Sequence, residues 1–167
     1  MKFITLFNNL FVFLIISVIN TVISIALPIS LFHYDSWLFR ERNWEKNGAV
    51  YQGCLGVKKW KNLLPELSDF LAFLFPKKKI RQYSPDYLYR FVLETCRAEL
   101  AHWCIIISSF IFIIWNGTGM SVLMISLAVV LNLPYIIIQR YNRPRILNIL
   151  ANKKNKRMIK NDSIQDI

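Results

Sequence analysis

Hydrophobic and polar positions along this chain alternate in long blocks. Phe3 to Phe32 is an apolar run with no Asp, Glu, Lys or Arg. Its length suffices to span a bilayer with some tilt. A second uncharged stretch begins after His102 and ends before Arg140, and its 37 residues exceed the roughly 20 that one membrane-crossing helix takes. It must fold back on itself. Asn116-Gly117-Thr118-Gly119 is its only cluster of turn-forming residues. Ala101 to Trp115 and Met120 to Ile138 are therefore expected to form an antiparallel helical hairpin, because backbone groups in lipid must be bonded within the segment. Counting outward from the turn at about 1.5 Å per residue, Arg97, Glu99 and His102 fall level with Ile138, Ile136 and Leu133. The polar clusters Arg97 to Trp103 and Asn132 with Gln139 to Arg145 then overlap in depth at one membrane face.

The expected fold is an all-α integral membrane protein. It divides into an N-terminal anchor helix (1–32), a basic cytoplasmic or interfacial region with amphipathic helices (33–98), a transmembrane hairpin (99–140) and a basic cytoplasmic tail (141–167). The first run could instead be a secretory signal, since Ser24-Ile25-Ala26 is a passable cleavage pattern, but it is much longer than the roughly 7 to 15 residues of a signal core. Leu63 to Phe75 is rich in large apolar residues, too short to span, and followed by Pro76 and three lysines. It suits either an interfacial segment or a buried helix of a small subdomain. Ser84-Pro85-Asp86 has the hydroxyl, proline and acid of a helix start, so one helix is expected from Pro85 into the membrane. The Asn- and Lys-rich tail 152–160 is expected to fray, and Pro144 offers a simple end to the preceding helix.

Charge orients these elements. Hydrophobic residues make up 54% of the chain, yet the net charge is +11, and mean hydropathy is +0.34. Of the 21 Lys and Arg, 12 lie in 33–97 and 8 from residue 139 onward. Both basic regions are expected in the cytoplasm, with the N-terminus and the hairpin turn outside. The address is then the cell membrane, multi-pass, with a cytoplasmic active face. No nucleic-acid partner is expected.

The three cysteines form no Cys-x-x-Cys pair and favour neither a metal site nor a disulfide framework. One Glu-x-x-His offers two metal ligands with no second copy, so no metal or other cofactor is expected. Phosphate-binding glycine loops and nucleophile elbows are absent from the sequence. The chemistry points to the two polar clusters. Glu99 and His102 share a helix face at i,i+3, so the carboxylate can orient the imidazole as a general base for a hydroxyl attacking an activated acyl carbonyl. The bland alternative is a pair of polar residues ending a helix at head-group level. Arg140, Arg143 and Arg145 fit lipid-facing anchors. Asn132 and Gln139, seven residues apart on one helical face, do not, since an unpaired amide in lipid is costly. Packing them against Glu99 and His102 would make a polar pocket able to recognise a sugar hydroxyl, carboxylate or phosphate.

Arg97-Ala98-Glu99-Leu100-Ala101-His102-Trp103, together with Asn132 to Arg145 and its Gln-Arg-Tyr-Asn-Arg-Pro-Arg run, resembles the glycosyl-4,4'-diaponeurosporenoate acyltransferase family. Val57-Lys58-Lys59-Trp60-Lys61 resembles that family's loop motif. The likeness runs from about Asn43 to Leu147 and is weaker through Leu63 to Phe75 and in the first span. The resemblance implies a small bacterial membrane enzyme of staphyloxanthin-type carotenoid synthesis. Its implied activity is transfer of a fatty acyl chain to the glucose 6-hydroxyl of a carotenoid glycosyl ester. Its implied partners are an acyl donor, such as an acyl thioester, and a lipid-soluble glycosyl acceptor, with membrane lipids and other pathway enzymes around it.

From chemistry, His102 is expected as the base and Glu99 as its orienter, with Arg97, Asn132, Gln139, Arg140, Asn142 and Arg143 as the binding shell. The alternative is a non-catalytic membrane protein that binds anionic lipid or scaffolds pathway enzymes.

Overall fold

The computed structural model describes residues 2–69, 75 and 80–165. Among these residues the chain is all-helical, with no strand. Five α-helices follow in order: α1 (Lys2–Ala26), α2 (Ala49–Leu55), α3 (Val57–Trp60), α4 (Pro85–Ser108) and α5 (Thr118–Gln165), with short 3₁₀ turns at Ile29–Leu31, Asn43–Glu45, Leu67–Asp69 and Ser109–Ile113. Three segments are long and apolar enough to cross a membrane, Ile4–Ala26, Pro85–Ile113 and Thr118–Asn155, with mean hydropathies of 2.3, 1.5 and 2.3. The protein is an all-α integral membrane protein.

The helix starts and stops have local causes. Ser84 opens α4, its hydroxyl accepting from Tyr87 N at 3.3 Å and its carbonyl from Leu88 N at 3.0 Å, with Pro85 at the first helical position. The hairpin reverses at Asn116-Gly117, where the Gly117 carbonyl accepts from Met120 and Ser121. Pro144 does not end the last helix. α5 passes through both Pro134 and Pro144 and continues across the tail expected to fray. A proline costs its helix one hydrogen bond and a clash, and burial of the following turn, with Ile146 3% exposed, offsets that. Of the interfacial segment expected over Leu63 to Phe75, residues 70–74 lie outside the described residues, as do the following 76–79; Leu63 itself is exposed.

The chain forms two compact units, one comprising 1–32 and 97–137 and the other 33–96 and 138–167. In the first, Phe13, Ile105, Phe112, Met124 and Ala128 make a small core. Asn9 meets Asn116 through hydrogen bonds of 2.8 and 3.1 Å and accepts from the Trp115 indole at 3.1 Å. Asn20 donates to Ser108 Oγ at 3.3 Å, and Ser24 Oγ to the Arg97 carbonyl at 3.2 Å. These pairings run α1 antiparallel to the membrane half of α4, with Asn9 at the turn end. Many large apolar side chains of this unit face outward, among them Phe7 (65% exposed) and Ile114 (79%), as a lipid-facing surface requires.

In the second unit Leu88, Phe91, Val92 and Ile146 form the core, flanked by Tyr34, Phe75, Tyr87 and Leu150. Its short elements need special backbone geometry. Lys46, Asn47 and Gly48 are consecutive left-handed residues leading into α2. Gly48, at φ +77°, also lies so close to α5 that a Cβ there would meet the Tyr141 carbonyl oxygen at 2.9 Å. Glycine is required twice over at this position.

Candidate active site

In the first unit the structure brings His102 and Asn132 together. His102 Nδ1 lies 2.8 Å from Asn132 Oδ1. The contact matches the outward count from the hairpin turn, which set His102 level with Leu133. Tyr135 stacks on the same imidazole, ring centroids 4.7 Å apart and planes at 12°. Asn132 and Tyr135, three residues apart on α5, present one helical face.

This geometry fixes the imidazole tautomer. Asn132 Nδ2 donates to the Ala128 carbonyl at 2.8 Å. A carbonyl only accepts, so the amide nitrogen has to face Ala128 and the amide oxygen has to face His102. That oxygen also only accepts, so Nδ1 of the neutral ring carries the hydrogen and Nε2 keeps its lone pair. Asn132 is 6% exposed and His102 half-buried. The hydrogen-bonded amide and the stacked phenol together hold the ring.

The other proposed members of this cluster lie close along α4. Glu99 is fully buried, and the Trp103 indole donates to its Oε1 at 3.4 Å. Arg97 donates from Nη2 to the Leu27 carbonyl at 2.9 Å and lies over the Phe32 ring, 5.7 Å from its centroid.

Gln139, Arg140, Asn142 and Arg143 belong to the second unit. Arg140 pairs with Glu45 at 2.8 Å and donates to the Leu38 carbonyl, also at 2.8 Å. Glu45, 2% exposed, also accepts from the Tyr51 hydroxyl and from Arg42 N at 2.6 Å. Arg143, 3% exposed, donates from Nε to Thr95 Oγ1 at 3.0 Å and from Nη1 to the Phe39 carbonyl at 2.6 Å. The two guanidinium groups thus clamp the loop 33–48 to α5. They border a cleft of about 200 Å³ lined also by Tyr34, Asp35, Phe39 and Leu147. Asn142 Oδ1 accepts from Lys61 Nζ at 3.0 Å. Gln139 is 2% exposed, and its Oε1 has no hydrogen-bond partner among the described residues. The bilayer argument that an amide must be paired therefore holds for Asn132 but not for the Gln139 carbonyl.

Lys61 and Tyr135 lie in the runs that carry the family resemblance but were not expected at the site, and neither was Glu45. Tyr135 was detectable, since it follows Asn132 at the i,i+3 spacing. Glu45 gave no local signal, because its partner Arg140 is 95 residues away.

A family model described as glycosyl-4,4'-diaponeurosporenoate acyltransferase matches residues 35–152. A protein of that name from Staphylococcus haemolyticus (strain JCSC1435) is 34% identical over 121 residues, 71% of this chain and 69% of the relative. Another of that name, from Staphylococcus aureus (strain Newman), is 32% identical over 132 residues, 78% of each. No solved structure matches the chain.

Proposed function

The chain belongs to the glycosyl-4,4'-diaponeurosporenoate acyltransferase family, and from that premise we propose that it esterifies a sugar hydroxyl of a glycosyl carotenoid with a fatty acyl group, using His102 as general base. The observation that carries the catalytic assignment is the Asn132 amide that puts the hydrogen on Nδ1 and the lone pair on Nε2. Nε2 removes the proton of the acceptor hydroxyl as its oxygen attacks the carbonyl carbon of an acyl thioester. The tetrahedral intermediate collapses with cleavage of the C–S bond, and the departing thiolate takes the proton from the imidazolium. Asn132 Oδ1 accepts from Nδ1–H throughout, and Glu99, one turn earlier on α4, supplies the counter-charge for the imidazolium.

Substrate access follows the charge distribution. The acceptor enters from the bilayer, and the donor approaches from the cytoplasmic side, which the Lys- and Arg-rich segments favour. Arg140 and Arg143 spend donors on Glu45, Thr95 and two backbone carbonyls, which supports a shaping role for them rather than direct substrate contact.

The test is acyl transfer to a glycosyl carotenoid by purified protein in lipid. His102→Gln should lower the rate by about 10² to 10⁴, the usual contribution of a positioned base. Glu99→Gln should be milder. Near-wild-type transfer by a well-folded His102→Gln protein would remove His102 from the mechanism.

A further inference from the structure

In the second unit two cations gather on one aromatic ring. Lys61 Nζ lies 5.2 Å and the Arg145 guanidinium 4.7 Å from the centroid of Tyr141. Lys61 also donates to Asn142 Oδ1 at 3.0 Å, and Arg145 to the Tyr141 hydroxyl. Two ion pairs of this unit among the described residues, Arg140–Glu45 and Arg90–Glu94, use neither cation.

The fold builds this cluster from several directions. The Val57-Lys58-Lys59-Trp60-Lys61 run forms α3 and its C-cap, entered through left-handed Gly56. The Trp60 indole ties it to the Leu55 carbonyl at 2.8 Å. Tyr141 is 1% and Asn142 7% exposed, so the ring and the amide are fixed platforms. The close approach of Gly48 seats the Tyr141 backbone. Burial, then the charge of Arg145, holds the Lys61 amino group below the usual lysine value; Glu66 opposes this and Lys58 adds to it. Lys61 is half-buried and Arg145 exposed, so two positive charges meet on one ring at the edge of the fold, and a ligand with several anionic oxygens would relieve their repulsion.

We propose that Lys61 and Arg145, set on Tyr141 beside Asn142, form a binding site for a phosphate ester. An ammonium and a guanidinium together offer a point charge and a planar fork to the phosphate oxygens. Two sources share that chemistry: the phosphates of a thioester-carrying acyl donor and a lipid head group. The donor source rests on the acyl-transfer reading above.

The experiment uses the full chain in phosphatidylcholine nanodiscs and measures equilibrium binding of coenzyme A against pantetheine, which lacks the phosphates. Wild-type protein should prefer coenzyme A. Lys61→Gln and Arg145→Gln should each weaken coenzyme A binding about three- to tenfold, the range of an ordinary net hydrogen bond, as suits a partly exposed site. Pantetheine binding should not change. Lys61→Arg, which keeps the charge, should retain most of the affinity and shows that the loop still folds. If the Gln variants bind coenzyme A like wild type yet lose retention of phosphatidylglycerol, read by native mass spectrometry, the phosphate belongs to a lipid head group. Variants matching wild type in both measurements, or a wild type that binds neither probe, would overturn the site. Binding is read without turnover, so an inactive wild type that still prefers coenzyme A would count against acyl transfer alone.

Discussion

The two units of this protein solve the problem of buried polarity by opposite means. In the membrane-type unit the interior contacts are made mostly by neutral groups: Asn9 with Asn116, Asn20 with Ser108, and His102 with Asn132. Lys2, Arg97 and Glu99 are the only charged residues in its sequence, since an ionised group costs far more to desolvate than an amide, which costs little once paired. In the basic unit, charged groups do the equivalent work. Arg140 and Arg143 reach across more than 40 residues of sequence to Glu45, Thr95 and backbone carbonyls. Short helices and left-handed turns have little stability of their own, and these contacts hold them.

The contrast predicts which substitutions hurt most. Glu45→Ala should be the most severe for folding, because it leaves the Arg140 guanidinium, its side chain only 15% exposed, without its buried carboxylate, at a cost of about 3 kcal/mol. Thermal unfolding in detergent measures this, and a loss below 1 kcal/mol would show the clamp to be dispensable. Gly48→Ala should cost about 1 to 3 kcal/mol, since it combines left-handed strain with a Cβ against the Tyr141 carbonyl. Asn9→Leu alone should cost about 1 to 3 kcal/mol by taking the partner from the half-buried Asn116 side-chain oxygen. Adding Asn116→Leu should recover part of that loss, and strict additivity of the two would separate Asn9 from Asn116.

The smallest effect expected is one of sign. Lys61 is held below the ordinary value of 10.5 by burial and by Arg145, so protonating it opposes folding. That cost is present at neutral pH and fades as pH rises through the lowered value toward 10.5. Lys61→Gln should therefore be as stable as wild type or more so at pH 7, with the difference closing at high pH.

The same contrast explains what could be read from sequence. The hairpin, its turn and the meeting of His102 with Asn132 follow from chain length, a single turn cluster and the need to bond every polar group in lipid. Each of those rules is local or is set by bilayer thickness. The start of α4 was equally plain in Ser84-Pro85-Asp86. The partners of Arg140 and Arg143 were not legible, because a guanidinium near a membrane face can serve a lipid, a ligand or a distant loop with the same local sequence. Nor did Pro144 stop α5. A proline's effect on a helix depends on tertiary packing that the sequence around it does not reveal.

On the proposed mechanism, α5 presets His102 as a base by holding its Nδ1–H on Asn132. Side-chain ¹⁵N NMR of histidine-labelled protein in nanodiscs, with His33→Gln to leave one signal set, tests it most directly. At a pH where the ring is neutral, the account predicts a protonated Nδ1 and an unprotonated Nε2, with the populations shifting toward the other tautomer in Asn132→Ala. A wild-type ring protonated at Nε2, or one indifferent to Asn132→Ala, would contradict it.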